Sequence, residues 1–234
     1  MRTKTLLLTA VLGVAGIASS SAQGVFSVNS VGYVNQTFTK GGFYIIANPL
    51  NNGNNQISTV IPNAPDSTTV FRFNSTTGFG DPAVFVQGAG WFNSTGAATD
   101  VLAPGEAFFV QVPNTATFPL TITFVGDVPQ GTSLSNPVTI KANKFNLIAS
   151  QVPISVGLST TGNGGMNFPA ADGDTVYQFD GNAQAYKDPI SFVQGAGWFN
   201  STGAADPTPA VGEGFFLFSG SSTDRTWTRS FTVN

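Results

Sequence analysis

Apolar and polar positions alternate with a period of two through much of this chain. Near its end Trp227, Phe231 and Val233 fall on one side together with Arg229, while Thr226, Thr228, Ser230 and Thr232 fall on the other. Such alternation sends successive side chains to opposite faces of a strand and marks one face as buried. Phe118, Leu120, Ile122 and Phe124 make the same pattern against Thr117, Thr121 and Thr123. Shorter runs also read as strands. FYIIA (43–47), apolar on both faces, predicts a central strand, and FNLIA (145–149) matches it. TVFRF (69–73) and TVYQF (175–179) alternate, and EAFFV (106–110) and EGFFL (213–217) are mostly apolar. About six strands are expected in each half. Only residues 56–61 predict a helical turn, with Ile57, Val60 and Ile61 at helical spacing and Pro62 to stop it.

These runs come in pairs because the chain repeats itself. FVQGAGWFNSTGAA occurs at 85–98 and again, unchanged, at 192–205, and the flanking motifs recur in the same order. A fixed internal period defines the structural unit before any motif is weighed. The expectation is an all-β fold of two tandem homologous β-sandwich- or barrel-like domains, residues 23–126 and 137–234, each about 100 residues long. Residues 127–136 read as a connector, with Pro129 and Gly131 to interrupt pairing and no charge after Asp127. Residues 1–22 read as a secretory signal peptide: Arg2 and Lys4, an apolar run from Leu6 to Ile17, then small residues ending at Ala22. No later run approaches the roughly 20 apolar residues of a membrane helix.

Composition narrows the chemistry. Charged residues make up 9% of the chain, against about 25% in ordinary globular domains, which fits an extracellular β-protein whose solvent faces use Thr, Ser and Asn. Removing Arg2 and Lys4 leaves 7 basic against 12 acidic residues, a net charge near −5 that offers a nucleic acid no purchase. The chain has no His and no Cys, which excludes Ser-His-Asp and Cys-His catalysis, the usual zinc ligands and disulfides. No cofactor is implied. A paired-carboxylate glycosidase needs only Asp and Glu, and Glu106 and Glu213 stand in matching GE-x-FF contexts. Matched positions in separate domains are a poor way to bring two carboxyls together, and the plainer role of each is to accept turn N–H groups. Asp172, Asp174 and Asp180 in DGDTVYQFD offer hard oxygen ligands to calcium, but the spacing fits no EF-hand, and a turn in which the Asp side chains bond their own backbone is the plainer reading. Asn35, Asn74, Asn93 and Asn200 head N-x-[ST] triplets, and GNGG (162–165) reads as a turn.

The identical block carries the remaining candidate chemistry. Trp91-Phe92 and Trp198-Phe199 are adjacent aromatics, which point to opposite faces of a strand. One ring of each pair can therefore enter the core while the other meets solvent. An exposed aromatic beside amides suits a sugar ring, so the candidate ligand-binding residues are Gln87, Trp91 and Asn93 with Gln194, Trp198 and Asn200. Burial of both aromatics is the structural alternative. The IIANPL (45–50) and LIASQV (147–152) strands, the TVYQF strand and the PGEAFFV segment (104–110) resemble a family of secreted bacterial tandem-repeat proteins. They are also similar to β-rich modules of bacterial surface proteins. The resemblance spans nearly the whole mature chain. It implies export and a duplicated β-fold and supplies no catalytic or ligand residues. The function expected is that of a secreted, non-enzymatic protein, extracellular or on the cell surface, with a structural or adhesive role. The alternative is a two-site carbohydrate-binding protein. The partners expected are an extracellular polysaccharide or, by edge-strand pairing, further copies of the chain.

Overall fold

The structure, a computed structural model, describes residues 30–131, Leu134 and residues 137–233, and statements of absence below concern these described residues. The expected signal peptide and residues 132, 133, 135 and 136 of the expected connector lie outside them.

Strands form where the alternation predicts them, but there are nine in the first half and ten in the second among the described residues, where about six were expected in each, because short two-residue strands flank the turns. The first half contains β1 (Val31–Phe38), β2 (Gly42–Ala47), β3 (Thr69–Asn74), β4 (Gly78–Phe79) and β5 (Ala83–Val86), followed by β6 (Gly90–Asn93), β7 (Gly96–Ala97), β8 (Ala107–Val112) and β9 (Leu120–Asp127). The second half contains β10 (Val138–Ile140), β11 (Phe145–Ala149), β12 (Thr175–Tyr177), β13 (Phe179–Asp180) and β14 (Ala185–Tyr186), followed by β15 (Ile190–Val193), β16 (Gly197–Asn200), β17 (Gly203–Ala204), β18 (Gly214–Phe218) and β19 (Arg225–Trp227). One short helix, α1 (Ile57–Val60), stands where the helical spacing was found, with Ile57 and Val60 buried. Strand makes up 43% of the chain and helix 2%, so the class is all-β.

All strand pairings are antiparallel. The first main sheet has the order β2-β8-β3-β5-β6-β7, with β4 on β3, and the second has the order β11-β18-β12-β15-β16-β17. Three two-stranded ladders, β1-β9, β10-β19 and β13-β14, complete the set, and no sheet closes into a barrel.

Each main sheet is buried on both faces near its centre, which is why β8 and β18 read as almost continuous apolar runs. Along β8, Phe108, Val110 and Val112 enter a first core with Val34, Phe38, Ile122 and Phe124 of the β1-β9 ladder. Ala107 and Phe109 point the other way. Along β18, Phe215 and Leu217 enter a second core with Ile140 and Trp227 of the β10-β19 ladder, while Phe216 points the other way. The side chains that point away meet each other. Ile45, Ala47 and Ala107 of one half and Leu147, Ala149 and Phe216 of the other form a third core between the two main sheets. Each fully buried large apolar side chain contributes about 1.5–3 kcal/mol, so this shared layer binds the halves strongly. The sheets approach so closely that a Cβ on Gly214 would stand 2.3 Å from that of Ala107.

Contacts between the halves are reciprocal. Ile46 bridges to Glu213 and Ile148 to Glu106, while Ala47 N–H donates to Gly212 O at 2.8 Å and Ala149 N–H to Gly105 O at 3.1 Å. These are the same positions of the sequence repeat with the halves exchanged, the signature of an approximate two-fold axis.

The last strand is shorter than expected. β19 stops at Trp227, and Arg229 and Phe231 then meet the residues after β9, through Leu134 N–H to Arg229 O at 3.0 Å and a Gly131–Phe231 bridge. Alternation nonetheless persists in the burial, because Trp227 and Arg229 are buried and Thr226, Thr228 and Ser230 are exposed.

Candidate functional site

The identical block forms a β-hairpin with one further short strand, β5-β6-β7 in the first half and β15-β16-β17 in the second. Its glycines have a conformational task. Gly88, Gly90 and Gly96 have φ of +79°, +99° and +130°, and Gly195, Gly197 and Gly203 repeat these at +81°, +105° and +134°. Only glycine adopts these values cheaply. Polar residues of the block fasten the same turns. Asp81 Oδ2 accepts Ser94 N–H at 2.9 Å and Ser94 Oγ–H at 2.6 Å, and Asp188 holds Ser201 likewise at 3.0 and 2.6 Å. The Ser201 hydroxyl and amide hold the Asp188 carboxyl below its usual range. Asn93 Oδ1 accepts from Thr95 N–H and hydroxyl at 3.0 and 2.8 Å, and Asn200 accepts from Thr202 at the same distances. The exposed residues Gln87 and Gln194 each give their backbone N–H, at 2.8 Å, to Asp66 and Asp172.

The structure corrects one expectation. Trp91 and Trp198 are each only 4% exposed, so neither indole can present a face to a sugar. The ring of Trp91 is edge-on to Phe85 at 5.3 Å and donates its Nε1–H to Ile61 O at 2.7 Å. Trp198 lies 5.1 Å from Phe192 and 6.2 Å from Phe168. The reason is register: Trp91 and Trp198 fall on the core face of β6 and β16, and their half-exposed neighbours Phe92 and Phe199 fall on the other. The six candidate residues thus sit three in each of two separate hairpins and do not form one site.

Carboxylates considered for catalysis or calcium are occupied by structure. Asp174 is fully buried and pairs with Arg225 Nη2 at 2.7 Å, while also accepting Ala171 and Gly220 N–H groups. Asp180 accepts Asn182 and Ala183 N–H groups, which hold its carboxyl below the usual range. Glu213 accepts Ala210 N–H at 2.7 Å and Gln178 Nε2–H at 3.0 Å. Glu106 meets Arg72 at 2.7 Å (Nε) and 2.6 Å (Nη2), and Arg72 Nη1 reaches Asp100 Oδ1 at 3.4 Å. Burial pushes the Glu106 carboxyl up, outweighing the attraction of Arg72. Burial opposes the charge of Arg72, yet Glu106 and Asp100 leave its pKa raised. Arg229 is 2% exposed, donates to Ser150 Oγ at 2.6 Å and to Gly165 O, and burial lowers its pKa to about 10.

One cleft of about 690 Å³ opens where the first half meets the second. Arg72, Asp100 and Glu106 line one wall with Asp81 and Asn93 of the repeated hairpin, Phe73 and the β3-β4 turn. Val138, Thr139, Lys141 and Ile148 of the other half line the opposite wall. Of the six candidate residues, only Asn93 lines it. Arg72, Asp81 and Asp100 were not singled out in the sequence. The signal available was a mismatch within the repeat, where Arg72 corresponds to the neutral Gln178. A second recess, about 400 Å³ and almost wholly aromatic, is lined by Phe73, Phe145, Tyr177, Tyr186 and Phe216. It borders the shared core, where the Phe109 and Phe216 rings lie 6.0 Å apart.

No protein-family model, no curated protein and no solved structure matches this chain.

Proposed function

We propose that this chain is a secreted, non-enzymatic extracellular protein with a structural or adhesive role, built from two homologous β-units that arose by duplication. The observation that carries this reading is the use of the repeated polar residues. Asp66 and Asp172, Asp81 and Asp188, Asn93 and Asn200 all secure turns, and Glu106 and Glu213 secure the entries to β8 and β18. Side chains capable of chemistry are consumed in holding a scaffold. The exposed faces support the same reading, since Asn35, Thr37, Thr121 and Thr123 form a hydrogen-bonded neutral array on the outside of the β1-β9 ladder. The signal-peptide pattern and the family resemblance support export.

Two assays test the reading. Protein recovered from the culture medium is expected to begin at Gln23, and fluorescently labelled mature protein is expected to adhere to intact cells or to sediment as an assembly. A chain retained inside the cell with residues 1–22 intact would sink the export claim. Mature protein that neither adheres nor assembles would sink the structural or adhesive one.

A further inference from the structure

The two halves meet along two related seams, and only one is closed. At the closed seam the β13-β14 hairpin of the second half is laced to the first half. Thr39 Oγ1–H donates to Asn182 Oδ1 at 2.7 Å, and Gln36 Nε2–H to Val211 O at 2.7 Å. The Gln184 carboxamide both accepts Phe43 N–H and donates to Phe43 O, each at 2.8 Å. Tyr44 fills the remaining space, its ring so close that a Cβ on Gly181 would stand 2.0 Å away. At the other seam the corresponding hairpin, β3-β4, makes one such bond, Ser75 Oγ–H to Asn146 Oδ1 at 2.9 Å. Val138 stands where Gln36 stands on the closed side and has no amide to send across. Lys141 turns away to Asp224 at 2.7 Å. The 690 Å³ cleft is the space left by these differences.

We propose that this open cleft is a binding site for a neutral glycan. The inference rests on the adhesive reading above and names its ligand class. The volume lies within the roughly 300–1,000 Å³ of ordinary ligand sites and admits a short oligosaccharide. Each charge in the walls already has a partner: Arg72 is shared by Glu106 and Asp100, Lys141 is paired with Asp224, and Asp81 accepts from Ser94, so a charged ligand has to compete with bonds already made. An anion entering the cleft meets three carboxylates, and a cation meets a guanidinium that already holds two of them. A neutral polyhydroxyl ligand meets no repulsion and displaces no ion pair. It also finds fixed partners. Arg72, 37% exposed, lines the space with five N–H donors of which its two carboxylates use three, and Asn93 lines it too. The Phe73 ring and the rings of Pro104 and Pro137 supply apolar surface for the C–H face of a pyranose.

Two substitutions isolate the cleft. Thr139 is exposed on its wall, so Thr139→Trp fills the space without entering a core. Arg72→Gln installs the residue found at the matching position, where Gln178 already bonds Glu213, and so should fold. Thr37→Trp, on the exposed face of β1, serves as the control. The mature protein is sedimented with insoluble cellulose, xylan, mannan and chitin and titrated with soluble oligomers of whichever it binds. The expected result is binding to at least one neutral polymer, weakened tenfold or more by Thr139→Trp and by Arg72→Gln and unchanged by Thr37→Trp. Binding that survives Thr139→Trp overturns the cleft assignment. Binding to none of the four, or only to an acidic polymer such as alginate, overturns the glycan class. In either case labelled protein that still adheres to cells leaves the adhesive reading standing, so the two failures are distinguishable.

Discussion

At the scale of single residues, the buried charges set the sharpest constraints. Asp174 is fully enclosed, and Arg225, with 15% of its side chain exposed, is its only cationic partner. Removing one member of a buried pair strands the other. Arg225→Met is therefore expected to cost about 3–5 kcal/mol, read as a fall in the urea midpoint, whereas Lys141→Met, whose exposed pair with Asp224 is solvent-screened, should leave the midpoint nearly unchanged. Equal effects would refute the distinction. Glu106 makes a prediction about pH. Its folded-state pKa is raised by burial, so its contribution to stability is complete below the unfolded value and is lost as pH rises through the folded one. The stability of wild type relative to Glu106→Gln should thus decline as pH climbs from about 4 toward neutrality. A difference that grows with pH would contradict this. Some of this was legible in the sequence: the alternation placed Arg229 on the apolar face beside Trp227, and the structure buries both. The fate of Trp91 and Trp198 was not legible, because adjacent aromatics establish only that one faces inward, and the register that selects the tryptophan is set by pairing with β5 and β15.

At the scale of elements, edge strands explain much of the chain's design. β2 and β11 each end a main sheet, and an unpaired edge invites pairing with a foreign strand. Each is covered by the opposite half. The Gln184 carboxamide imitates a neighbouring strand by using both backbone groups of Phe43, and Gly42, with φ of +136°, leaves room for it: a Cβ there would come within 2.5 Å of the carboxamide. Gln184→Ala is expected to speed amide exchange at Phe43 tenfold or more and to leave Phe145, the matching residue of β11, unchanged. An unaffected Phe43 amide would mean that the carboxamide does not close this edge. Strand positions themselves were largely legible, since the paired motifs at 43–47, 69–73, 106–110 and their repeats all became strands. The partnership between halves was not. It relies on long-range bonds such as Gln184 to Phe43, 141 positions apart, which no local pattern encodes.

At the scale of the whole molecule, the third core joins what the repeat divides. Its residues come from both halves, and Gly214 permits the approach of the two main sheets at the place where the first half has Ala107. Gly214→Ala places two methyl groups in one space, and overpacking of this kind costs about 1–3 kcal/mol. The loss should appear as a lower midpoint for a single cooperative transition reporting on both halves. Two separate transitions, with only the second shifted, would show that the halves fold independently. Apolarity on both faces of FYIIA predicts a central strand, but β2 ends its sheet; the second apolar face is there because the other half of the same chain packs on it.

Joining both halves in one polypeptide has a consequence for stoichiometry. A homodimer of identical subunits writes every substitution twice, so its two seams must be both open or both shut. Within one chain, Gln36 and Val138 differ freely, and one seam is laced while the other gapes. Whatever enters that mouth enters once per molecule. If the proposed adhesive role holds, a protein with one mouth coats a surface and leaves neighbouring surfaces uncoupled, because a bridge needs two mouths.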